Sequence, residues 1–299
     1  MKRIAPFFCL AVGFMLLSSC EGLFETSVDY EVPQQTPVLA TTAIIPANYD
    51  TAGIFISHTT PDLHSFPGII HDARITLQIG DQPYTDWQQD NDLLYKITAF
   101  NVSDHQGEIA SLRIEANDFT TVYSEIQIPT LPKIREITYG FHQAISDDGT
   151  RIDQLKLKLD DPVDEENFYG LQAFYSRLRF RDTTNMFDTV RVFLEADELV
   201  TEGGSPLFFS DATFNGRQAE LRIRAYNYNP PSRDSGQVIV QVLTFPKDYY
   251  LYLKSVEVFN NADGNPFAEP ADLYSNFENG TGIFSIYQVD EHIVDVDFE

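Results

Sequence analysis

Short segments in which apolar and polar residues alternate constrain this chain more than any other feature. The runs at 74–79 (RITLQI) and 155–159 (LKLKL) each place their apolar residues on one face. Because successive side chains of a strand point to opposite faces of a sheet, a period of two residues is typical of strands with one buried face. Turn residues separate the runs, which favours antiparallel pairing over strands joined by helices. The sequence therefore predicts a mainly β protein.

Two β-rich blocks follow one another along the chain. Between residues 39 and 130, short strands recur at the spacing of a β-sandwich, and Pro129 and Pro132 end this block as a stiff hinge. Residues 133–299 contain longer alternating runs separated by clusters of turn residues. This second block predicts an antiparallel β domain of its own.

One helix is predicted in the second block, at about 246–260. Thr244 suits the N-cap and Pro246 suits the first turn. Apolar residues on one stripe of this helix are Tyr249, Leu253 and Val256. The apolar segment at 282–289 (GIFSIYQV) follows and predicts a closing strand.

The N-terminus has the pattern of a targeting segment. Basic residues precede an apolar run at 4–17, and the sequence LSSC then ends at Cys20. This looks like a bacterial lipobox, in which the Cys20 thiol is acylated and the chain is cut just before it, so that residues 1–19 are removed. The alternative is an ordinary secretory signal with an accidental cysteine. The lipobox predicts a lipidated tether at 20–38 that holds the protein on a membrane.

Charge and cysteine content exclude several classes of function. The chain has 45 acidic against 20 basic residues and a formal net charge of −25. Such a surface repels phosphate backbones, so no nucleic-acid partner is predicted. Of the two cysteines, Cys9 would leave with the signal segment and Cys20 would carry the lipid. We therefore expect no disulfide framework, no thiol nucleophile and no cofactor.

Four C-terminal segments carry a family resemblance. The most specific is DGNPFAEPADLYSNFENGTGIFSIY at 263–287, and the others are DPVDEENFYGLQAF at 161–174, PLFFSDATFNGRQAELRIR at 206–224 and DYYLYLKSVEVF at 248–259. Together they resemble the domain-of-unknown-function 4249 lipoproteins of Bacteroidota. The resemblance implies an outer-membrane lipoprotein encoded near a TonB-dependent receptor, with no established activity and no catalytic residue to carry over. The block at 39–130 also looks like the immunoglobulin-like or transthyretin-like modules of envelope proteins in that group.

Tyrosines supply the strongest candidates for a contact surface. More tyrosines occur in the stretches AYNYNPP and DYYLY than one buried stripe of side chains can contain. Rings that face outward can grip a protein partner or a sugar ring, and the alternative is packing inside the core. The candidate contacts are Tyr226, Tyr228, Tyr250 and Tyr252.

The segment SNFENGTGIF offers either a ligand loop or a structural loop. Its residues Asn276, Asn279, Gly280 and Gly282 suit a structural role, because glycine adopts positive φ and asparagine side chains bond to nearby backbone. We expect this loop to lock the last strand onto the helix.

Metal and enzyme chemistry have little support in the sequence. Five acids occur between residues 160 and 166, but they lack the spacing of an EF-hand loop, and a solvated acidic turn explains them better than a cation site. The histidines form no HExxH pattern, and the chain contains no GxSxG or SxxK motif. We predict no metal site, no catalytic residue and no enzyme activity.

Three Asp-Thr pairs resemble the short O-glycosylation sequon of Bacteroidota. The candidate threonines are Thr51, Thr183 and Thr189.

The patterns predict a non-enzymatic, lipid-anchored protein. The family resemblance implies that it works at the outer membrane, where we expect it to bind or dock beside a TonB-dependent receptor in nutrient uptake. The alternative is a structural or adhesive envelope protein, and a hydrolase has less support. A receptor partner predicts a contiguous apolar or aromatic face on the acidic body, whereas a spacer predicts none.

Overall fold

The computed structural model describes residues 35–61, 66–90, 94–163, 165–181, 184–196, 206–226, 236–262 and 271–296. The described strands belong to one compact unit, Thr36–Glu299. Cys20, Thr183 and Tyr228 lie outside the described residues.

Sixteen strands and one helix make up the described part of the chain. The first eight strands are β1 Leu39–Pro46, β2 Thr51–His58, β3 Arg74–Ile79, β4 Gln82–Tyr84, β5 Gln88–Gln89, β6 Tyr95–Thr98, β7 Ile109–Glu115 and β8 Val122–Gln127. The remaining elements are β9 Lys133–Ile145, β10 Arg151–Asp160, β11 Phe168–Arg181, β12 Thr184–Glu195, β13 Leu207–Ser210, β14 Gln218–Tyr226, β15 Gly236–Phe245, α1 Lys247–Ala262 and β16 Thr281–Val296. The predicted mainly β class with one C-terminal helix is confirmed.

The N-terminal block forms two sheets that share one core. A four-stranded sheet in the order β4-β3-β7-β8 faces the strands β5-β6-β2-β1, which continue into β16. Alternate residues of both sheets are buried together, among them Ile54, Ile56, Leu77, Leu112 and Phe284. The two-residue period of these strands is the direct cause, because it turns every second side chain toward the facing sheet.

The second block is a rolled sheet with one interior core. Its strands follow the order β16-β15-β11-β12-β14-β10-β9, with β13 paired to β11, and β9 lies beside β16. The inward positions of β10 are Leu155, Leu157 and Leu159, which pack against Tyr169 of β11 and Val240 of β15 in the same core. The clean alternation of β10 predicted this one-sided burial.

Strand β16 belongs to both bodies. Its first half pairs in parallel with β1, in the register Ala43↔Phe284. Its second half pairs antiparallel with β15, from Thr244↔Gln288 to Gly236↔Val296. The sequence assigned the whole last strand to the block at 133–299, whereas this pairing places its first half in the N-terminal sheet.

Helix α1 packs on the outer face of the rolled sheet. Its Tyr250 joins Phe168, Phe245 and Val289 in a separate apolar cluster. The helix begins one residue after Pro246 and ends at Ala262, close to the predicted 246–260. Within the described residues, no helix is both long and apolar enough to cross a membrane.

Candidate functional site

A cleft of about 520 Å³ opens at one end of the rolled sheet. Its walls come from the β9–β10 hairpin, residues 141–153, and from Ala225 and Tyr226 at the end of β14. The cleft lies at the C-terminal end of β9. The chain enters the roll from the N-terminal block at the opposite end of this strand, at Lys133. The hydrogen-bonded strands β9, β10 and β14 therefore position most of the residues that line the cleft.

A buried carboxylate forms the floor of the cleft. Asp153 is 4% exposed, and it accepts a hydrogen bond from the Tyr139 hydroxyl at 2.7 Å and from the His142 backbone N–H at 3.1 Å. Burial and the bond to Asp153 raise the pKa of the Tyr139 phenol, so this group stays a protonated donor. Burial and the charge of Asp153 also raise the pKa of Tyr175 to about 12.

The position of Asp153 was visible in the sequence as an exception. It stands two residues before Leu155, at an inward position of an otherwise apolar β10 face. A charged residue on a core face needs partners, because an unpaired buried charge is costly.

A strand irregularity directs the backbone toward Asp153. The β9–β10 register shifts between Ile152 and Gln154, and His142 opposite has a positive φ of 53°. The extra residues of a bulge bend the strand and re-aim its groups. Here they turn the His142 N–H to the carboxylate and stack the rings of Phe141 and His142 at 3.7 Å between centroids.

Charged side chains at the rim are already paired with one another. Arg224 Nη1 lies 2.5 Å from Asp147 Oδ1, and Arg224 Nη2 lies 3.5 Å from Glu195 Oε1. The Tyr226 hydroxyl donates to Glu195 Oε2 at 2.6 Å, and this bond, together with burial, raises the pKa of Tyr226 to about 12. The predicted contact residue Tyr226 thus lies at the cleft, with its hydroxyl fixed.

The hairpin turn beside the cleft is held by its own hydrogen bonds. Asp148 Oδ1 accepts from the Ser146 hydroxyl at 2.5 Å and from the Thr150 N–H at 3.0 Å. These bonds, the Ser146 bond first, lower the pKa of the Asp148 carboxyl. Gly149 takes a φ of 84°, which a turn of this shape requires. The rim is therefore preformed.

An outward-facing apolar row crosses three strands of the same sheet. Phe174 of β11 pairs with Ile239 of β15, and Ile239 pairs with Ile293 of β16. Directly opposed residues in a sheet bring their side chains into contact distance, and Ile293 is 62% exposed. We name Phe174, Ile239 and Ile293 the apolar row.

Polar cross-strand pairs border the apolar row on both sides. Gln241 Nε2 donates to Glu291 Oε2 at 2.9 Å, and Gln237 Nε2 donates to Asp295 Oδ1 at 3.0 Å. The row is thus an apolar strip on an otherwise polar and acidic sheet face.

The other predicted tyrosine contacts lie elsewhere. Tyr250 is 5% exposed, with its ring 4.4 Å from that of Phe168, so the structure places it in the core where the sequence predicted a surface contact. Tyr252 is half-buried and stacks on Tyr249 at 6.3 Å. Only Tyr226 among the described candidates therefore reaches the cleft.

The asparagines of the predicted structural loop act on strand backbones. Asn276 Nδ2 donates to the Phe284 carbonyl at 2.8 Å, and the Phe284 N–H donates to Asn276 Oδ1 at 2.9 Å. One side chain thus supplies the donor and the acceptor that a neighbouring strand would offer. Asn279 has a φ of 61° and donates to the Thr121 carbonyl at 3.4 Å.

The two glycines of this loop permit close approach to neighbouring strands. A Cβ on Gly280 would lie 2.6 Å from Val122 Cγ1, and a Cβ on Gly282 would lie 1.9 Å from the Thr41 carbonyl oxygen. The loop therefore fastens the last strand to β1 and β8. Nearby, the Tyr274 N–H donates to Ser255 Oγ of α1 at 2.8 Å.

The acidic segment at 160–166 is largely engaged in internal contacts. Asp161 accepts from the Tyr169 hydroxyl at 2.5 Å and from the Gly216 N–H at 2.8 Å. Glu166 pairs with Lys247 at 2.7 Å. In the described part of the chain, no group of three or more histidine, cysteine, aspartate and glutamate side chains is arranged to hold a metal ion.

The threonines proposed for glycosylation occupy exposed strand positions where they are described. Thr51 begins β2 and Thr189 lies within β12. Their modification stays a prediction.

The comparison with known families identifies the chain. Over residues 25–293 it matches the model of the family described as a domain of unknown function (DUF4249). The chain belongs to this family, which confirms the family assignment made from the C-terminal segments. No curated protein matches it.

Proposed function

We propose that this chain is a non-enzymatic lipoprotein of the outer membrane that docks beside a TonB-dependent receptor and assists nutrient uptake. The observation that carries the proposal is the apolar row on a polar sheet face. Ile293 is exposed and Phe174 and Ile239 are half-buried, so the row presents partly exposed apolar side chains on adjacent strands. A spacer has no need for such a row, whereas apolar surface in contact with water is typical of an interaction site.

The surroundings of the apolar row favour a partner with a complementary face. The bordering residues include Glu291 and Asp295, and the whole chain carries a formal charge of −25. Opposite charge on the partner speeds encounter and fixes orientation, while apolar contact at the centre supplies affinity. The expected receptor surface is an apolar centre with lysine or arginine around it.

The lipid anchor supports the proposed location. An acylated Cys20 would contribute about 0.8 kcal/mol for each buried methylene, so two or more acyl chains hold a protein stably on a membrane. Anchoring also raises the local concentration of the protein near a receptor in the same membrane, which strengthens a weak contact without new interactions.

The anchor is tested first by fractionation. We expect the wild-type protein in the outer-membrane fraction, with the mass of the chain from Cys20 plus its acyl chains in intact-mass spectrometry. A Cys20→Ser variant should lose the acyl chains, the cut before residue 20 and the outer-membrane location. A Cys20→Ser variant that still reaches the outer membrane would contradict the proposed anchor.

Docking is tested by a mild-detergent pull-down of the tagged, lipidated protein from its own outer membrane. Wild-type protein should recover a TonB-dependent receptor near one to one, and Ile293→Lys should lose it. The matched control is Ile109→Lys, because Ile109 is also an exposed strand isoleucine (48% against 62%) but lies on β7 of the N-terminal block. Recovery of no receptor, or equal recovery with Ile293→Lys, would overturn the proposal and favour a structural or adhesive role.

A further inference from the structure

We propose that the cleft between the β9–β10 hairpin and the end of β14 binds a neutral carbohydrate ring. This site is separate from the apolar row, so the proposal goes beyond receptor docking and can fail independently of it. The volume of about 520 Å³ lies within the range of roughly 300–1,000 Å³ that is usual for small-molecule sites.

Apolar side chains form part of the cleft wall. The lining residues include Phe141, Ile152 and Ala225, together with Tyr226 at the end of β14. A pyranose ring has one face made largely of C–H groups, which suits contact with aromatic and aliphatic side chains. The fixed hydroxyl of Tyr226 limits how its ring can turn, because it is bonded to Glu195.

The carboxylates of the cleft have partners within the protein. Asp147 is paired with Arg224, and both oxygens of the buried Asp153 accept bonds from protein donors. A cationic ligand would have to compete with these donors, and an anionic ligand would face the lining carboxylates of Asp147, Asp148 and Asp153. A neutral ligand does not disturb them.

The polar groups at the rim suit hydroxyl groups, which both donate and accept hydrogen bonds. Asp148 receives its two bonds on Oδ1, and Arg151 and Thr150 are exposed lining residues. Carboxylate and guanidinium groups provide planar pairs of acceptors and donors that match adjacent hydroxyls. A sugar ring can therefore stack on the wall and bond to the rim at once.

The site is preorganised, which lowers the entropic cost of binding. The turn is closed by the bond between the Ser146 N–H and the Thr150 carbonyl at 2.9 Å, in addition to the bonds to Asp148. Rigid walls need little ordering when a ligand enters.

The test uses the lipidated full-length protein in detergent and saturation-transfer difference NMR. The probes are the neutral trisaccharides maltotriose, cellotriose and xylotriose, with trigalacturonic acid and choline as charged comparisons. We expect at least one neutral trisaccharide to give signals from its ring C–H protons. Tyr226→Ala should weaken its binding by about tenfold, as the loss of one aromatic contact implies.

Two variants control for folding and for position. Tyr123 matches Tyr226 because its hydroxyl also donates to a glutamate, Glu125, at 2.6 Å. It lies on β8 of the N-terminal block, so Tyr123→Ala should leave binding unchanged. Thr150→Trp fills the cleft from an exposed turn position and keeps the backbone bonds that Thr150 makes with Ser146 and Asp148. It should block binding even if Tyr226→Ala fails to fold.

The proposal is overturned if no neutral trisaccharide gives a signal, or if Thr150→Trp leaves the signal intact. A signal from choline or trigalacturonic acid alone would make the cleft a site for charged ligands and would also overturn it. Because Ile293→Lys leaves the cleft untouched, binding of the sugar by that variant separates failure of docking from failure of this site.

Discussion

Replacement of Gly282 by alanine tests how strand β16 joins the two bodies. Gly282 has a φ of +118°, and an added Cβ would lie 1.9 Å from the carbonyl oxygen of Thr41 on β1. The Thr41 backbone cannot move aside as a flexible side chain can. Gly282→Ala must therefore strain its own backbone and separate the first residue pairs of the parallel ladder between β1 and β16.

The cost follows from two contributions. Holding an L-residue at positive φ costs about 1–2 kcal/mol. Opening the ladder at Ala40↔Thr281 and Thr41↔Gly282 removes bonds that contribute about 1 kcal/mol each. The free energy of unfolding should fall by about 3–4 kcal/mol, which is a large part of the roughly 5–15 kcal/mol typical of a folded protein.

Equilibrium urea unfolding measures this loss against a matched glycine. Gly107 has a φ of +81° and no atom within 4 Å of an added Cβ, so Gly107→Ala should carry the strain alone, about 1–2 kcal/mol. Trp87, the single tryptophan, packs against the core of the N-terminal block, and its fluorescence reports on that block, while circular dichroism reports on all strands.

Two results would refute the reasoning. If Gly282→Ala destabilises no more than Gly107→Ala, the close approach to Thr41 is not required. If fluorescence and circular dichroism give separate midpoints for the wild type, β16 does not couple the two bodies.

Three further predictions concern buried polar groups. Burial raises the pKa of Asp211, so its contribution to stability is present at low pH and is lost as the pH rises through the raised pKa. Asp211→Asn should flatten this pH dependence in urea titrations that start near the ordinary aspartate pKa of about 4 and proceed upward. Asn276→Asp should lose the bond donated to the Phe284 carbonyl and lower the free energy of unfolding by about 1–3 kcal/mol, measured by urea unfolding. Tyr139→Phe should cost about 1–3 kcal/mol by the same assay, because Asp153 loses a donor inside the roll.

Local pattern predicted the elements well because their causes are local. The alternation at 155–159 produced the buried face of β10, and Pro246 with the following stripe of apolar residues produced helix α1 within two residues of the predicted ends. The segment at 282–289 was predicted as a closing strand and lies within β16. In each case a side-chain period or a backbone restriction fixes the element without knowledge of its partners.

The pairing of β16 could not be predicted, because alternation indicates which face is buried and not which strand lies alongside. Residues Ile283, Phe284, Ser285 and Ile286 are all buried, since both faces of the strand are covered. Such a run shows no period of two, so it carries no signal for the change of partner from β1 to β15. The cleft was missed for a related reason: its parts, Asp153 and Tyr226, are distant in sequence and meet only through the pairing of β10 with β14.

The change of partner along β16, from β1 to β15, affects how the protein could present a ligand. A chain that passed between the bodies only through Pro129 and Pro132 would be joined at one hinge. Strand β16 adds a second connection, in which Tyr287 still pairs with β1 while Gln288 already pairs with β15. Bending the two bodies apart would break ladder bonds on one side of this junction, at about 1 kcal/mol for each bond. The cleft at the far end of the roll is therefore held in a fixed orientation to the N-terminal block, and the proposed ligand would need little further ordering before transfer to the receptor that we propose.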